Sequence, residues 1–233
     1  ETIHNYSKEE SPNSNAREML FVSAESVLGG SAKTFVAHEF QHLISFNQRE
    51  LLQRSGEDVW LNEARSEYSI TAVGYDTPFE TSTRQRRALA FLRSPSDSLI
   101  DWPNTSADYA VASMFTRYLV DQFGSNIITS TLSSPLAGAS SIDTWLSTHT
   151  NVRFPNVFVN WMIASYLNNR AIDPAFGYTT NGLMALHVIL LDGTILSPNS
   201  GQVRLNATLK EWQPYWGRID VMGGTSAVGD VRL

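Results

Sequence analysis

The apolar positions of this chain divide it into a short extended run, a series of helices and a strand-like tail. Residues 1–17 are polar and carry no period, as a loop or arm would. "MLFVSAESV" (Met19 to Val27) is a short β-type run that ends at Gly29 and Gly30. A helical period begins at Ala32, behind the capping residue Ser31, and runs to about Arg54. Gly56 interrupts it, and Asp58 is placed to cap a second helix from Val59 to about Val73. Residues 82–93 are helical and stop before Pro95, and "SPSDSLIDWPNTSAD" reads as a loop. "YAVASMFTRYLVDQFG" is an amphipathic helix with Gly124 as its stop, and shorter helices follow over Ser141–Thr148 and Pro155–Asn168. After Asp173 the period changes: "LMALHVILLDGTILS", "GQVRLNATL" and "GRIDVM" read as strands. This order predicts an α+β fold. Residues 1–181 form the main domain, and 182–233 form a strand-rich segment that completes that domain or begins a small β-domain.

Composition narrows the function classes. The 233 residues are enough for a substantial core, and 42% hydrophobic with 17% charged residues is a globular balance. A net charge of −6 argues against a nucleic-acid surface. Arg84, Arg86, Arg87 and Arg93 form a local basic cluster, read as a solvated helix face. Cysteine is absent, so disulfides and thiol chemistry are excluded. No apolar run reaches the roughly 18 residues of a membrane span. The chain starts at Glu1 without Met, as a processed or trimmed product would.

The chemistry concentrates in "TFVAHEFQHLISFNQRELLQRSGEDVWLNEARSEY" (Thr34 to Tyr68). At about 100° per residue, His42 lies about 40° from His38, one turn on along the same helix face. Val36, Phe40, Leu43 and Ile44 lie on the opposite side, so the apolar stripe is expected to pack one way and the histidines to point the other. Glu39 flanks the pair. This is an H-E-x-x-H arrangement, in which two imidazoles serve Zn²⁺ and a carboxylate serves as general base. Catalytic zinc takes three protein ligands and keeps a position open. Six residues after His42 stands Gln48 and three after it Ser45, which rules out the metzincin pattern. A glutamate on the next helix fits instead: Glu63 follows His42 with 20 residues between. Glu67, one turn further, can accept the other ring N–H of a ligand histidine.

With these residues the chain resembles the gluzincin metallopeptidases, the clan of thermolysin, whose H-E-x-x-H is followed about twenty residues on by N-E and, a turn later, by an acidic residue. "AHEFQHLISF" with "WLNEARSEY" is most similar to the hyicolysin family of secreted bacterial peptidases. The match covers roughly Met19 to Gly124 and is dense from Ala37 to Tyr68. The resemblance implies a zincin-type catalytic domain with His38, His42 and Glu63 as ligands, Glu39 as base and Glu67 behind the ligands. It departs at Ala64, where many relatives have glycine, and at Glu67, where thermolysin has aspartate. It further implies a Met19–Val27 strand bordering the cleft, a protein or peptide substrate, and a secreted or extracytoplasmic location.

The expected activity is zinc-dependent endopeptidase hydrolysis. An exopeptidase of the same clan and a degenerate binding module are the alternatives; intact ligands and base speak against the module. For the oxyanion donor, "DYAVASMFTRYL" has the look of the helix that carries a tyrosine in several gluzincin families, which points to Tyr109, with core packing as its other use. His149, at the end of a short helix, is the second candidate. His4 and His187 read as structural. Trp212, Tyr215 and Trp216 fit packing or an interface.

Overall fold

The computed structural model describes residues 6–190 and 207–217 in full, together with the backbone of 193–196 and 218–221. Its helices are α1 (Ala24–Leu28), α2 (Ala32–Phe46), α3 (Val59–Ala72), α4 (Thr83–Arg93), α5 (Ser106–Phe123), α6 (Asn126–Leu132), α7 (Gly138–His149) and α8 (Phe154–Leu167). A π-helical turn, Asn47–Leu52, continues α2. None of the helices among the described residues is long and apolar enough to cross a membrane.

Helix α5 is the centre of the molecule. A capping box starts it: Thr105 accepts from the backbone of Asp108, and the Asp108 carboxylate accepts from the Thr105 N–H. Gly124 ends it at φ 80°, a conformation that costs glycine nothing. From Ala110 to Leu119 every residue is buried, as expected of a helix surrounded by partners. Phe115 meets Trp161 at 5.2 Å, Phe154 at 5.6 Å, Phe158 at 6.1 Å and Trp60 at 6.2 Å between ring centroids, joining α3, α5 and α8 in one core.

The α+β expectation is overturned: helices and irregular segments carry the core among the described residues. Met19–Val27 is not a strand. Residues 19–22 are irregular, and the Ser23 side chain accepts from the Ser26 N–H to start α1. The apolar residues that suggested a strand, Phe21 and Val27, are exposed, and no neighbouring strand among the described residues offers the backbone partners a strand needs. The tail also departs from the pattern. Residues 183–190 run irregularly over α8, where the Val188 N–H donates to the Ser165 carbonyl and Asn168 Nδ2 to the Leu183 and Leu186 carbonyls. Two four-residue strands, β1 (Gly193–Leu196) and β2 (Arg218–Val221), pair in parallel with Gly193 opposite Arg218. Most of "GQVRLNATL" lies outside the described residues, as does His4. Trp212 packs edge-on against Phe154 at 4.7 Å and Phe158 at 5.3 Å, Trp216 donates to the Met162 carbonyl, and Tyr215 is exposed.

The apolar stripe of α2 is a further correction. Val36 and Phe40 are exposed, whereas the histidine face packs against α3. Glu63 and Glu67 on α3 attract the imidazoles, so the polar side of α2 becomes its inner side. The far end of α2 is anchored by charge. Arg49 donates to the Ser134 and Gly56 carbonyls, and Glu57, between Arg49 and Arg65, accepts from the Gly138 N–H at 2.8 Å. A second buried pair, Arg117–Asp76 at 3.0 Å, ties α5 to the turn after α3. Burial pulls the Arg117 guanidinium down to about 10, against the pull of Asp76, so it stays charged at neutral pH.

Candidate metal centre

Helix α2 presents His38 and His42, and α3 presents Glu63, Ser66 and Glu67 at the i, i+3, i+4 positions that share one face. The two helices lie side by side, with Ala64 fully buried, and their facing residues meet. His38 Nε2 and His42 Nε2 are 3.2 Å apart. Glu63 Oε2 lies 3.2 Å from His38 Nε2 and 3.5 Å from His42 Nε2. Among the described residues this is the group of three side chains whose ligand atoms converge in a way able to hold a metal ion.

The triangle has the size that a metal requires. A tetrahedral Zn²⁺ with bonds of about 2.0–2.1 Å sets its ligand atoms about 3.3 Å apart. The three observed edges fall on both sides of that value. Glu63 Oε2 is buried and makes no hydrogen bond of good geometry, so its lone pairs are free to face a cation. The side chains of His38, His42 and Glu63 retain 14%, 13% and 16% exposure, so the cluster is not sealed from solvent.

The other ring nitrogens are held. His38 Nδ1 lies 3.4 Å from Glu67 Oε1, and His42 Nδ1 lies 3.2 Å from Ser66 Oγ. A proton on each Nδ1 directs it to those oxygens and leaves each Nε2 lone pair for the centre. Burial opposes a charge on His38, but Glu63 and Glu67 outweigh it and raise its pKa to about 9. Burial likewise opposes ionisation of Glu63, but the two imidazoles outweigh it and lower the pKa to about 2. The field that favours a proton on His38 favours any cation at the point where the three atoms meet. Glu67 is buried and bound by both arms of the Arg87 fork, at 2.8 and 2.7 Å.

Tyr109 stands at the start of α5. Its phenol donates to Asn104 Oδ1 at 3.1 Å, and its ring contacts the Arg87 guanidinium at 4.6 Å and the Trp102 indole at 5.1 Å. Burial raises the phenol pKa, the charges of Glu63, Glu67 and Glu39 raise it further, and Arg87 acts the other way. Tyr109 and Glu39 therefore share the electrostatic environment of the cluster, and Tyr109 keeps its proton at neutral pH. Glu39 is half-buried on α2 between the two histidines. His149 has a different setting: its ring stacks on Trp145 at 4.4 Å, its Nδ1 is taken up by Thr148 and the Trp145 carbonyl, and its helix packs on α6 and α8. His187 is exposed in a groove of about 400 Å³ beside Tyr166 and Ile189.

Sequence reasoning missed Ser66 and Arg87. Ser66 was within reach, because it lies on the α3 face defined by Glu63 and Glu67. Arg87 was read with a solvated cluster; Arg86 and Arg93 are indeed exposed, but Arg87 turns inward to Glu67, 20 residues earlier in the chain. No protein-family model matches this chain, and no curated protein matches it in sequence.

Proposed function

We propose that this protein is a zinc-dependent endopeptidase of the gluzincin type, acting on protein or peptide substrates. His38, His42 and Glu63 hold the metal, and Glu67 and Ser66 orient the histidines. The observation that carries this reading is the ligand triangle, with edges of 3.2, 3.2 and 3.5 Å on two adjacent helices and Glu39 in the turn between the two histidines. When bound, the ion supplies Lewis acidity: it polarises the scissile carbonyl and lowers the pKa of water in the site. Glu39 accepts a proton from the attacking water and returns it to the leaving amine nitrogen. Tyr109 Oη exchanges Asn104 for the oxyanion of the tetrahedral intermediate and donates to it.

The test is elemental analysis of metal-replete protein together with casein hydrolysis before chelation, after chelation and after zinc is restored. The expected result is one zinc per chain and hydrolysis that follows the metal. Glu39→Gln should keep the zinc and lose about 10²–10⁴-fold in rate, since it preserves size and removes the base. Zinc-loaded protein that leaves casein and unblocked peptides intact would overturn the peptidase reading while leaving the metal centre standing.

A further inference from the structure

Arg87 touches two parts of the site, the carboxylate behind His38 and the ring of Tyr109. It reaches from α4 toward α3 and α5, with its side chain 16% exposed. Its Nε and Nη2 clamp the Glu67 carboxylate, whose Oε1 also faces His38 Nδ1. The same guanidinium lies over the Tyr109 ring, and Trp102 closes the ring's other contact edge-on. One group thus holds a carboxylate through two N–H bonds while its central carbon lies over an aromatic ring, which a lysine ammonium cannot do. We infer that Arg87 is a positioning residue that couples the metal cluster to Tyr109: it holds Glu67 against His38 and, by the same guanidinium, holds the Tyr109 ring so that its phenol is presented to the reacting carbonyl. This rests on the peptidase reading for its catalytic meaning, but the coupling itself is a property of the folded protein.

The coupling is tested in the zinc-loaded full chain by NMR of ring-¹³C-labelled tyrosine. The Tyr109 signal is assigned by its loss in Tyr109→Phe. Glu67→Gln loosens the carboxylate end of the Arg87 clamp, besides removing a charge that Tyr109 feels directly, and should shift or broaden the Tyr109 signal while leaving the buried Tyr118 and Tyr178 signals in place. In an Arg87→Lys background, which keeps the charge and the stem, Glu67→Gln should leave only the smaller direct effect of the lost charge on that signal. An unchanged Tyr109 signal in Glu67→Gln, or an equal change with and without Arg87, overturns the coupling. In turnover, Arg87→Lys should lower kcat by about 10–100-fold, the cost typical of losing such a supporting contact, with KM held within a few-fold. Combined with Tyr109→Phe, the total loss should fall well short of the product of the two single losses. Fully additive losses also overturn it. Should the protein cleave no peptide at all, the peptidase reading fails and the NMR comparison still decides the coupling.

Discussion

Replacing Glu67 with glutamine separates a supporting role at the metal from a general contribution to stability. Gln keeps the size and one acceptor oxygen but removes the charge. The wild-type carboxylate makes two charge-assisted bonds to Arg87, at 2.8 and 2.7 Å, inside a nearly dry site. Hydrogen bonds to charged groups are each worth about 1.5–3 kcal/mol, and Gln can replace one of the two, so the stability loss is about 1.5–3 kcal/mol. In a chain of this size that lowers Tm by about 3–12 °C. The effect on metal binding is a separate quantity. Loss of a carboxylate behind a ligand histidine costs about 10–100-fold in affinity. The His38–Glu67 contact of 3.4 Å is longer than a strong charge-assisted bond, which places the loss at the lower end, about tenfold or 1.4 kcal/mol. Competition against a chromophoric chelator at fixed pH gives the zinc Kd, and urea unfolding of the chelated protein gives the stability. A zinc Kd within twofold of wild type, in a variant that shows the stability loss, would refute the role of Glu67 at the metal.

Three further outcomes follow from the geometry. Tyr109→Phe should bind zinc and substrate nearly normally and lose about 10²-fold in kcat; because burial and the neighbouring carboxylates raise the phenol pKa, any alkaline limb that this variant abolishes should have its midpoint above about 10, and a lower midpoint would count against the donor role. Asp76→Ala leaves the buried Arg117 without its counter-charge and should cost about 3–5 kcal/mol in urea unfolding, so a loss below about 1 kcal/mol would show the pair to be dispensable. Gly138→Ala adds a Cβ that would clash with the Asp58 carboxylate at a residue with φ of 50°, and it should destabilise by about 1–3 kcal/mol, measurable as a lowered Tm with zinc stoichiometry unchanged.

The sequence alone determined the parts of this protein that depend on local spacing. The i, i+4 interval places His38 and His42 on one face of a helix, and the same interval relates Glu63 to Glu67, whatever surrounds them. Helix breaks at Pro95 and Gly124 were legible for a similar reason, since backbone restriction acts within a residue or two, whereas the run from α2 ends at Leu52, ahead of Gly56. What lay beyond reach was every choice between partners distant in the chain. Met19–Val27 has the composition of a strand, but a strand exists only with a neighbour, and Ser23 offered a nearer bond to the Ser26 N–H. The same held at 183–190, whose backbone finds Ser165 on α8 and Asn168 just past its end. Arg87 looked like one of four solvated arginines until α4 and α5 were brought together beside α3; then a buried carboxylate and an aromatic face took it out of water. On α2, periodicity identified the two faces, but the charges of Glu63 and Glu67 across the helix pair decided that the histidine face would be the one turned inward. Local geometry follows from adjacent residues; the side of a helix that loses its water is decided by what packs against it.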